Sequence, residues 1–264
     1  MRRNLGRFAA TCAFSLALAA SVAEAQKSGG VLIMSHFDSP ASMSMHEEAT
    51  GAVNRPIMGV FNNLVMFDQQ VAQNSMGSIV PDLANGWSWS EEGTELTMPL
   101  RHGVRWHDGK PFTAKDVQCT WELLSGRSAE ELRLNPRKTW YSNLEEVTAN
   151  GDYQVTFHLK PPQPSFLALL ASGWSPVYLC HVLPRDMRVH PIGTGPFKFV
   201  EFRPNERRRR LVWDIERKLI EDDVRPVLFH PRGVVCNQPW VKGMTQIVNG
   251  IYNGSRFEEV WLDE

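Results

Sequence analysis

The sequence predicts a mixed α/β fold, and three observations support this class. Segments with apolar residues at helical spacing are interspersed with segments in which apolar and polar residues alternate, as they do in strands. Asp108-Gly109 and Asn150-Gly151 each separate two strand-like segments, which predicts two hairpins. The 264 residues are 42% hydrophobic, so the chain can bury a sizeable core, and one domain with a subdomain is expected.

The first elements are predicted to be a strand and a helix. Gly30 to Ser39 has the pattern of a buried strand that leads into a polar turn. Pro56 to Phe67 is predicted to be a helix because apolar residues recur there at helical spacing, namely Met58, Phe61, Leu64 and Val65.

The central part is predicted to contain a hairpin followed by a helix. Glu95 to Phe112 forms the hairpin, with its reversal at Asp108-Gly109. Thr113 and Asp116 then have the spacing of a capping box, so a helix is expected to begin there and to end near Leu124, before Ser125-Gly126.

The following elements come from the same patterns. Glu146 to Leu159 is predicted to be a second hairpin, and Pro164 to Ser172 a short apolar helix. Trp174 to Leu179 is expected to be a strand or an extended segment. Gly193 to Phe197 is interpreted as a turn before a strand-like KFVEF segment, because the glycine-lysine-serine ending of a phosphate loop is missing.

An amphipathic helix and a strand are expected near the C-terminus. Arg209 to Asp223 carries an apolar stripe, and Val227 to Phe229 follows as a short apolar strand. The residues of the stripe are Leu211, Val212, Ile215, Leu219 and Ile220.

The N-terminus has the pattern of a cleavable secretory signal. Three arginines precede an apolar run from Phe8 to Val22, and Ala23-Glu24-Ala25 supplies the small residues that signal peptidase requires. Cleavage is therefore expected after Ala25, which would release a periplasmic chain that begins at Gln26. Cys12 lies within the apolar run and not at the cleavage site, so no lipid anchor is expected.

Charge and cysteine content narrow the possible partners. Removing three arginines and one glutamate with the signal leaves 25 basic and 28 acidic residues, a net charge of −3, which argues against nucleic acid as a partner. The remaining cysteines, Cys119, Cys180 and Cys236, allow either one disulfide and one thiol or three free thiols.

No residue pattern indicates an enzyme, a cofactor or a metal. The GxSxG and HExxH patterns of hydrolases do not occur. His102, His107 and Asp108 have no fourth ligand at a known spacing, so the two histidines are interpreted as surface or turn residues.

Five motifs along the chain carry a family resemblance: PDLANGW at Pro81 to Trp87, LRHGVRWHDGKPFTAKDV at Leu100 to Val117, PIGTGPFKFVEFRPNE at Pro191 to Glu206, VKGM at Val241 to Met244 and RFEEVWLD at Arg256 to Asp263. Together they resemble the motifs of the family 5 extracellular solute-binding proteins, which are periplasmic receptors of peptide, dipeptide and nickel ABC importers. The resemblance implies a periplasmic-binding-protein-like fold of class II type, with a hairpin-containing subdomain in its first lobe.

The middle of the family pattern does not occur in this chain. The helix and strand after Arg209 resemble the C-terminal part of such receptors, and they are joined directly across Arg207 to Arg210. The expected organisation is therefore a signal peptide at 1–25, the N-terminal part of one lobe at 26–208, and a segment at 209–264 that completes this lobe. The second lobe is expected to be largely absent.

The resemblance implies a periplasmic substrate-binding component of an ABC importer for peptides or similar small solutes, which docks on an inner-membrane permease. His36, Phe37, Asp38 and Asn62 are the expected ligand-facing residues, and Trp174 and Trp240 are candidates for an apolar wall. Loss of the second lobe is expected to impair binding. The alternative is a single-lobe remnant that acts at most as an interaction or chaperone-like module.

Overall fold

A computed structural model describes residues 31, 33–34, 36, 38–202, 213–214, 217–218, 241–243 and 261–262. The chain divides into two compact units. The larger unit comprises Met34–Val235 and Met244–Glu259, and the smaller comprises Met1–Ile33, Cys236–Gly243 and Val260–Glu264. In the part of the chain that the structure describes, no helix has the length and apolar character needed to cross a membrane.

Helices and strands alternate along the larger unit. The α-helices are α1 (Gly51–Ile57), α2 (Ala114–Ser125), α3 (Phe166–Leu170) and α4 (Pro184–Met187). The strands are β1 (Val65–Phe67), β2 (Ile79–Pro81), β3 (Ser88–Trp89), β4 (Glu95–Pro99), β5 (Leu144–Ala149) and β6 (Gln154–Leu159). The 3₁₀ helices are Met58–Val60, Met76–Ser78 and Lys138–Tyr141. In the smaller unit, β7 (Val241–Lys242) pairs with β8 (Trp261–Leu262).

A four-stranded antiparallel sheet with the order β3-β4-β6-β5 is the framework of the larger unit. The predicted hairpin around Asn150-Gly151 is confirmed as β5 and β6, and Gly151 takes the positive φ of 70° that this reversal needs. Val155, Phe157 and Leu159 are buried on one face, as the alternation predicted. Phe157 packs edge-on against Trp121, which brings α2 onto the sheet.

Helix α2 begins and ends as predicted. The Thr113 N–H donates to Asp116 Oδ2 over 3.0 Å, which is one half of the capping box, and Gly126 ends the helix with a φ of 73°. The buried Asp116 carboxylate also accepts bonds from the Trp106 indole over 3.3 Å and from the Cys180 N–H over 2.9 Å. Asp116 therefore joins the helix start to two distant segments.

The predicted hairpin from Glu95 to Phe112 is wrong in its strand pairing. β4 pairs with β3 and β6, whereas the Asp108-Gly109 reversal closes a smaller hairpin with a bridge between Arg105 and Pro111. The alternating face of β4 is buried against β6 in register, with Leu96 opposite Phe157 and Met98 opposite Val155. Burial of this apolar face favours the distant partner over the local one.

The two N-terminal predictions are also wrong. Helix α1 ends at Ile57, and the chain passes through the 3₁₀ helix into β1, so no helix extends from Pro56 to Phe67. The apolar residues at helical spacing are buried, but they are divided among the 3₁₀ helix, the residues that follow it and β1, so they form no helical stripe. Val31, Ile33 and Met34 form no strand and are exposed, although the sequence predicted a buried strand there.

The remaining predictions have different outcomes. The short apolar helix is α3, and Trp174 to Leu179 is an extended buried segment. Residues 198–202, predicted to be strand-like, form no strand. Residues 213–214 and 217–218 are helical, but the apolar stripe of Arg209 to Asp223 and the strand at Val227 to Phe229 lie outside the described residues. The predicted signal peptide lies outside them too.

One disulfide resolves the open cysteine question in part. Cys119 on α2 is bonded to Cys180, with their Cα atoms 5.7 Å apart. Beside it, the Thr120 hydroxyl donates to the Tyr178 carbonyl over 3.0 Å and lies 2.9 Å from the Tyr178 N–H. The extended segment is therefore held on α2 by both covalent and hydrogen bonds. Cys236 lies outside the described residues.

Candidate functional site

The candidate site is built around the Gly193-Thr194-Gly195 turn, called the GTG turn below. It lies against the 3₁₀ helix after α1, where the Gly195 N–H donates to the Val60 carbonyl over 3.0 Å and the Phe197 N–H donates to the Gly59 carbonyl over 3.1 Å. A Cβ atom at Gly193 or at Gly195 would overlap the backbone of this helix. Glycine is therefore required by the close approach of two backbones.

Asn62 joins the GTG turn to the PDLANGW segment. Its Nδ2 donates to Asp82 Oδ1 over 2.7 Å, and its Oδ1 accepts from the Thr194 hydroxyl over 3.0 Å. The other Asp82 oxygen accepts from the Asn63 N–H over 2.9 Å. Asn62 is half-buried and lies between the 3₁₀ helix and β1, not on a helix as predicted. Its side chain positions the turn, whereas the sequence suggested only a contact with ligand.

His107 holds the GTG turn from another side. Its Nε2 lies 2.8 Å from the Gly195 carbonyl, its Nδ1 lies 3.4 Å from the Gly193 nitrogen, and its own N–H donates to the Gly193 carbonyl over 2.9 Å. The interpretation of His107 as an ordinary turn histidine missed this role. No local signal could have revealed it, because its partners lie more than eighty residues along the chain.

A carboxylate and a histidine form a pair next to His107. Asp108 Oδ2 lies 2.6 Å from His181 Nε2. Partial burial raises the pKa of Asp108. The hydrogen bond from His181 and the nearby charges of His181 and Lys110 lower the pKa by a larger amount, so the net pKa is below its usual value. The pair ties the tip of the small hairpin to the residue after Cys180.

Two of the other predicted ligand-facing residues, His36 and Asp38, contact each other and Ser39 locally. His36 Nδ1 donates to the Asp38 carbonyl over 2.7 Å, and the Asp38 carboxylate accepts from the Ser39 N–H over 2.8 Å. Asp38 is exposed. Phe37 lies outside the described residues, so its role stays a prediction.

The two tryptophan candidates have different outcomes. Trp174 is buried, and the Arg137 guanidinium lies 4.5 Å from the centre of its ring, so this side chain belongs to the core. Trp240 lies outside the described residues.

A buried polar cluster close to Trp174 was not predicted. His46, Glu47 and Arg137 are all buried, and Arg137 donates to the carbonyls of Met45 and Glu48 over 2.6 and 2.7 Å. Burial first, and then the positive charge of Arg137, lowers the pKa of His46 to about 3. The polar sequence SMSMHEE gave no sign of burial.

In the described ranges, no group of three or more histidine, cysteine, aspartate or glutamate side chains is arranged to hold a metal ion. The polar groups of the GTG turn bind Asn62, His107 and the backbone of the 3₁₀ helix. This arrangement can position a chain segment and offer polar groups to a solute, and nothing in it resembles a nucleophile with its base.

Comparison with known proteins gives one family. The family model described as bacterial extracellular solute-binding proteins, family 5, middle region matches residues 78–212. The dipeptide-binding protein of Escherichia coli strain K12 is 28% identical over 179 residues, which are 59% of this chain and 32% of that protein. A probable di/tripeptide-binding protein of Pseudomonas aeruginosa is 27% identical over 173 residues, covering 54% of this chain and 30% of its own length. The chain thus spans about a third of the length of these relatives.

Solved structures give the same result for the fold. The periplasmic binding protein DppA of Helicobacter pylori, in complex with the peptide STSA, matches with a TM-score of 0.54 and 25% identity, over 62% of this chain and 35% of that one. NikZ of Campylobacter jejuni, in complex with Ni(L-His), matches with a TM-score of 0.51 and 25% identity, over 63% and 32%. The mixed α/β fold therefore matches part of a class II periplasmic binding protein. The chain belongs to the family 5 bacterial extracellular solute-binding proteins, a non-enzymatic family of binding components of ABC transporters.

Proposed function

We propose that this chain is a periplasmic substrate-binding component of an ABC importer for peptides or similar small solutes. The observation that carries the proposal is the meeting of three family motifs at the GTG turn. Asp82 of PDLANGW contacts Asn62, Asn62 contacts Thr194, and His107 of the long central motif contacts Gly195. The peptide-binding relatives favour a peptide as the ligand.

The ligand-facing positions in this proposal are His36, Phe37, Asp38 and Asn62. Asn62 has the strongest support, because it is half-buried beside the GTG turn and its side chain retains donor and acceptor capacity beyond its two described bonds. The peptide would be held by polar groups and exposed backbone, with no covalent step.

The proposal includes one lobe and not two. Residues 26–208 and 209–264 would form the same lobe, and an internal segment that makes the second lobe would be missing between Arg208 and Arg209. The short span relative to the relatives supports this. A binding pocket usually encloses about 70–90% of a small ligand, so one lobe would leave much of the peptide in water. If half of a binding free energy of about −8.2 kcal/mol is lost, a dissociation constant of about 1 μM weakens to about 1 mM.

The compartment and the partner belong to the same proposal. Cleavage after Ala25 would release the chain into the periplasm, and its partner would be an inner-membrane ABC permease. The runner-up function is a single-lobe remnant that acts as an interaction or chaperone-like module, and the short span relative to the relatives is the observation that favours it.

Titration calorimetry tests the proposal in two steps. The chain from Gln26 onward should bind members of a dipeptide and tripeptide library no tighter than about 100 μM, since one lobe retains only part of the contacts. The same chain with the middle segment of the Escherichia coli dipeptide-binding protein inserted between Arg208 and Arg209 should bind dipeptides in the micromolar range. If the insertion protein folds but binds no peptide, the result would favour the runner-up function, the single-lobe remnant.

A matched pair of asparagine variants then tests the site. Asn62→Ala in the insertion protein should weaken peptide binding at least about tenfold, the equivalent of 1.4 kcal/mol. Asn143→Ala is the control, because the Asn143 side chain bonds to Pro161 and Gln163 and not to the GTG turn. Equal affinities of the two variants would remove Asn62 from the site.

A further inference from the structure

The hydrogen bonds of His107 define the protonation state of its ring. A carbonyl oxygen can only accept, so the 2.8 Å contact with Gly195 requires a proton on Nε2. A backbone N–H can only donate, so the 3.4 Å contact from Gly193 needs a free lone pair on Nδ1. Both contacts are satisfied together only by the neutral ring with its proton on Nε2.

The GTG turn that His107 holds is also held on its opposite side. Gly195 and Phe197 bond to the 3₁₀ helix, and Thr194 bonds to Asn62. His107 contributes a backbone bond and two ring contacts from a different segment, so the turn lies between two independent supports. The ring is half-buried, which leaves it accessible to protons from solvent.

We propose that His107, as its neutral Nε2-protonated tautomer, is a positioning residue for the GTG turn. Protonation of Nδ1 places a second N–H opposite the Gly193 N–H and removes one of the two ring contacts. An effect of this contact on ligand capture rests on the proposed function, whereas the positioning role of His107 does not.

The charged neighbours of His107 are known on each side. The small hairpin carries Arg105, Asp108 and Lys110, and the segment after the disulfide carries His181, which pairs with Asp108. The 3₁₀ helix and the GTG turn carry no titratable side chain, while Asp82 lies behind Asn62.

Amide hydrogen exchange tests this inference on the chain from Gln26 onward without any ligand. The probes are the Gly195 and Phe197 amides, with protection corrected for the intrinsic pH dependence of exchange. At about pH 7.5, His107→Leu, which removes both ring contacts, should lower their protection at least about fivefold, as expected for loss of a hydrogen bond. His181→Leu is the matched control and should leave protection within about twofold. Unchanged protection in His107→Leu would overturn the inference. The amides of Leu96 and Phe157 in the central sheet report on global stability in each sample.

A measurement on the wild type covers the case in which His107→Leu does not fold. Nitrogen chemical shifts of the His107 ring at about pH 7.5 should show a protonated Nε2 and an unprotonated Nδ1. The opposite tautomer would overturn the inference. Because no peptide is involved, these results are independent of whether the chain binds one.

Discussion

The Glu47 carboxylate, whose side chain is 0% exposed, lies 2.6 Å from the Nε atom of Arg188. Its other oxygen accepts from the Arg133 N–H over 2.6 Å. The Arg188 side chain is 30% exposed, so the pair joins a partly exposed guanidinium to a buried carboxylate. The Glu47–Arg188 ion pair thus links the segment before α1 to the end of α4. Because the Glu47 carboxylate is buried, little water is available to stabilise its charge.

Arg188→Ala is expected to lower the free energy of unfolding by about 3–5 kcal/mol, because it leaves the Glu47 carboxylate buried and unpaired. Urea unfolding followed by fluorescence measures this. Arg133→Ala is the control, since the Arg133 side chain is 51% exposed and lies 3.7 Å from Glu48. That change should cost less than about 1 kcal/mol, and equal losses in the two variants would contradict the prediction.

His46 should make the protein less stable in mild acid. Burial lowers its folded pKa to about 3, whereas the unfolded ring binds a proton near its usual value of about 6.5. Between these values the unfolded state binds more protons, so stability falls as the pH falls. From about pH 8 to about pH 5 the loss from His46 is about 2 kcal/mol. Urea unfolding across this range should show a shallower slope for His46→Gln, and identical slopes would contradict the prediction.

Gly193→Ala should destabilise the fold by about 1–3 kcal/mol, because the added Cβ overlaps the Val60 carbonyl and forces two backbones apart. Gly86→Ala is the matched control: a Cβ there meets nothing within 4 Å. Thermal unfolding should show a lower Tm for the first variant and little change for the second. A wild-type Tm for Gly193→Ala would mean that the turn does not lie as closely on the 3₁₀ helix as described.

Loss of the Cys119–Cys180 disulfide should cost about 2–4 kcal/mol while the fold is retained. The hydrogen bonds of Thr120 and Asp116 to the extended segment remain in the reduced chain. The Cys119→Ser, Cys180→Ser double variant should therefore have a lower urea midpoint but an unchanged far-ultraviolet circular dichroism spectrum. The reduced wild type should match it, and a midpoint equal to that of the oxidised wild type would contradict the prediction.

Local patterns predicted the elements whose determinants lie close together in sequence. The β5–β6 hairpin depends on its own Asn150-Gly151 turn, and α2 on its own capping residues. The partner of β4 and the end of α1 are decided by contacts with segments far away in sequence, and a window of residues contains no information about them.

The candidate site follows the same division. That Asn62 faces a ligand stays a prediction, and its contacts with Asp82 and Thr194, which come from two different motifs, could not be predicted from local sequence. The spacing of His107 fits no metal site, so the sequence predicts an ordinary turn residue. In the structure its ring contacts the backbones of Gly193 and Gly195. The burial of His46 and Glu47 contradicts the usual preference of polar residues for the surface.

The contacts of Asp116 also affect how the larger unit unfolds. Its carboxylate accepts from the start of its own helix, from the Trp106 indole and from the Cys180 N–H. If the segment at 174–180 opens alone, it leaves a buried charge short of a partner, which makes a half-open state costly. Helix α2, the small hairpin and this segment are thus expected to melt cooperatively, as one exchange unit rather than three.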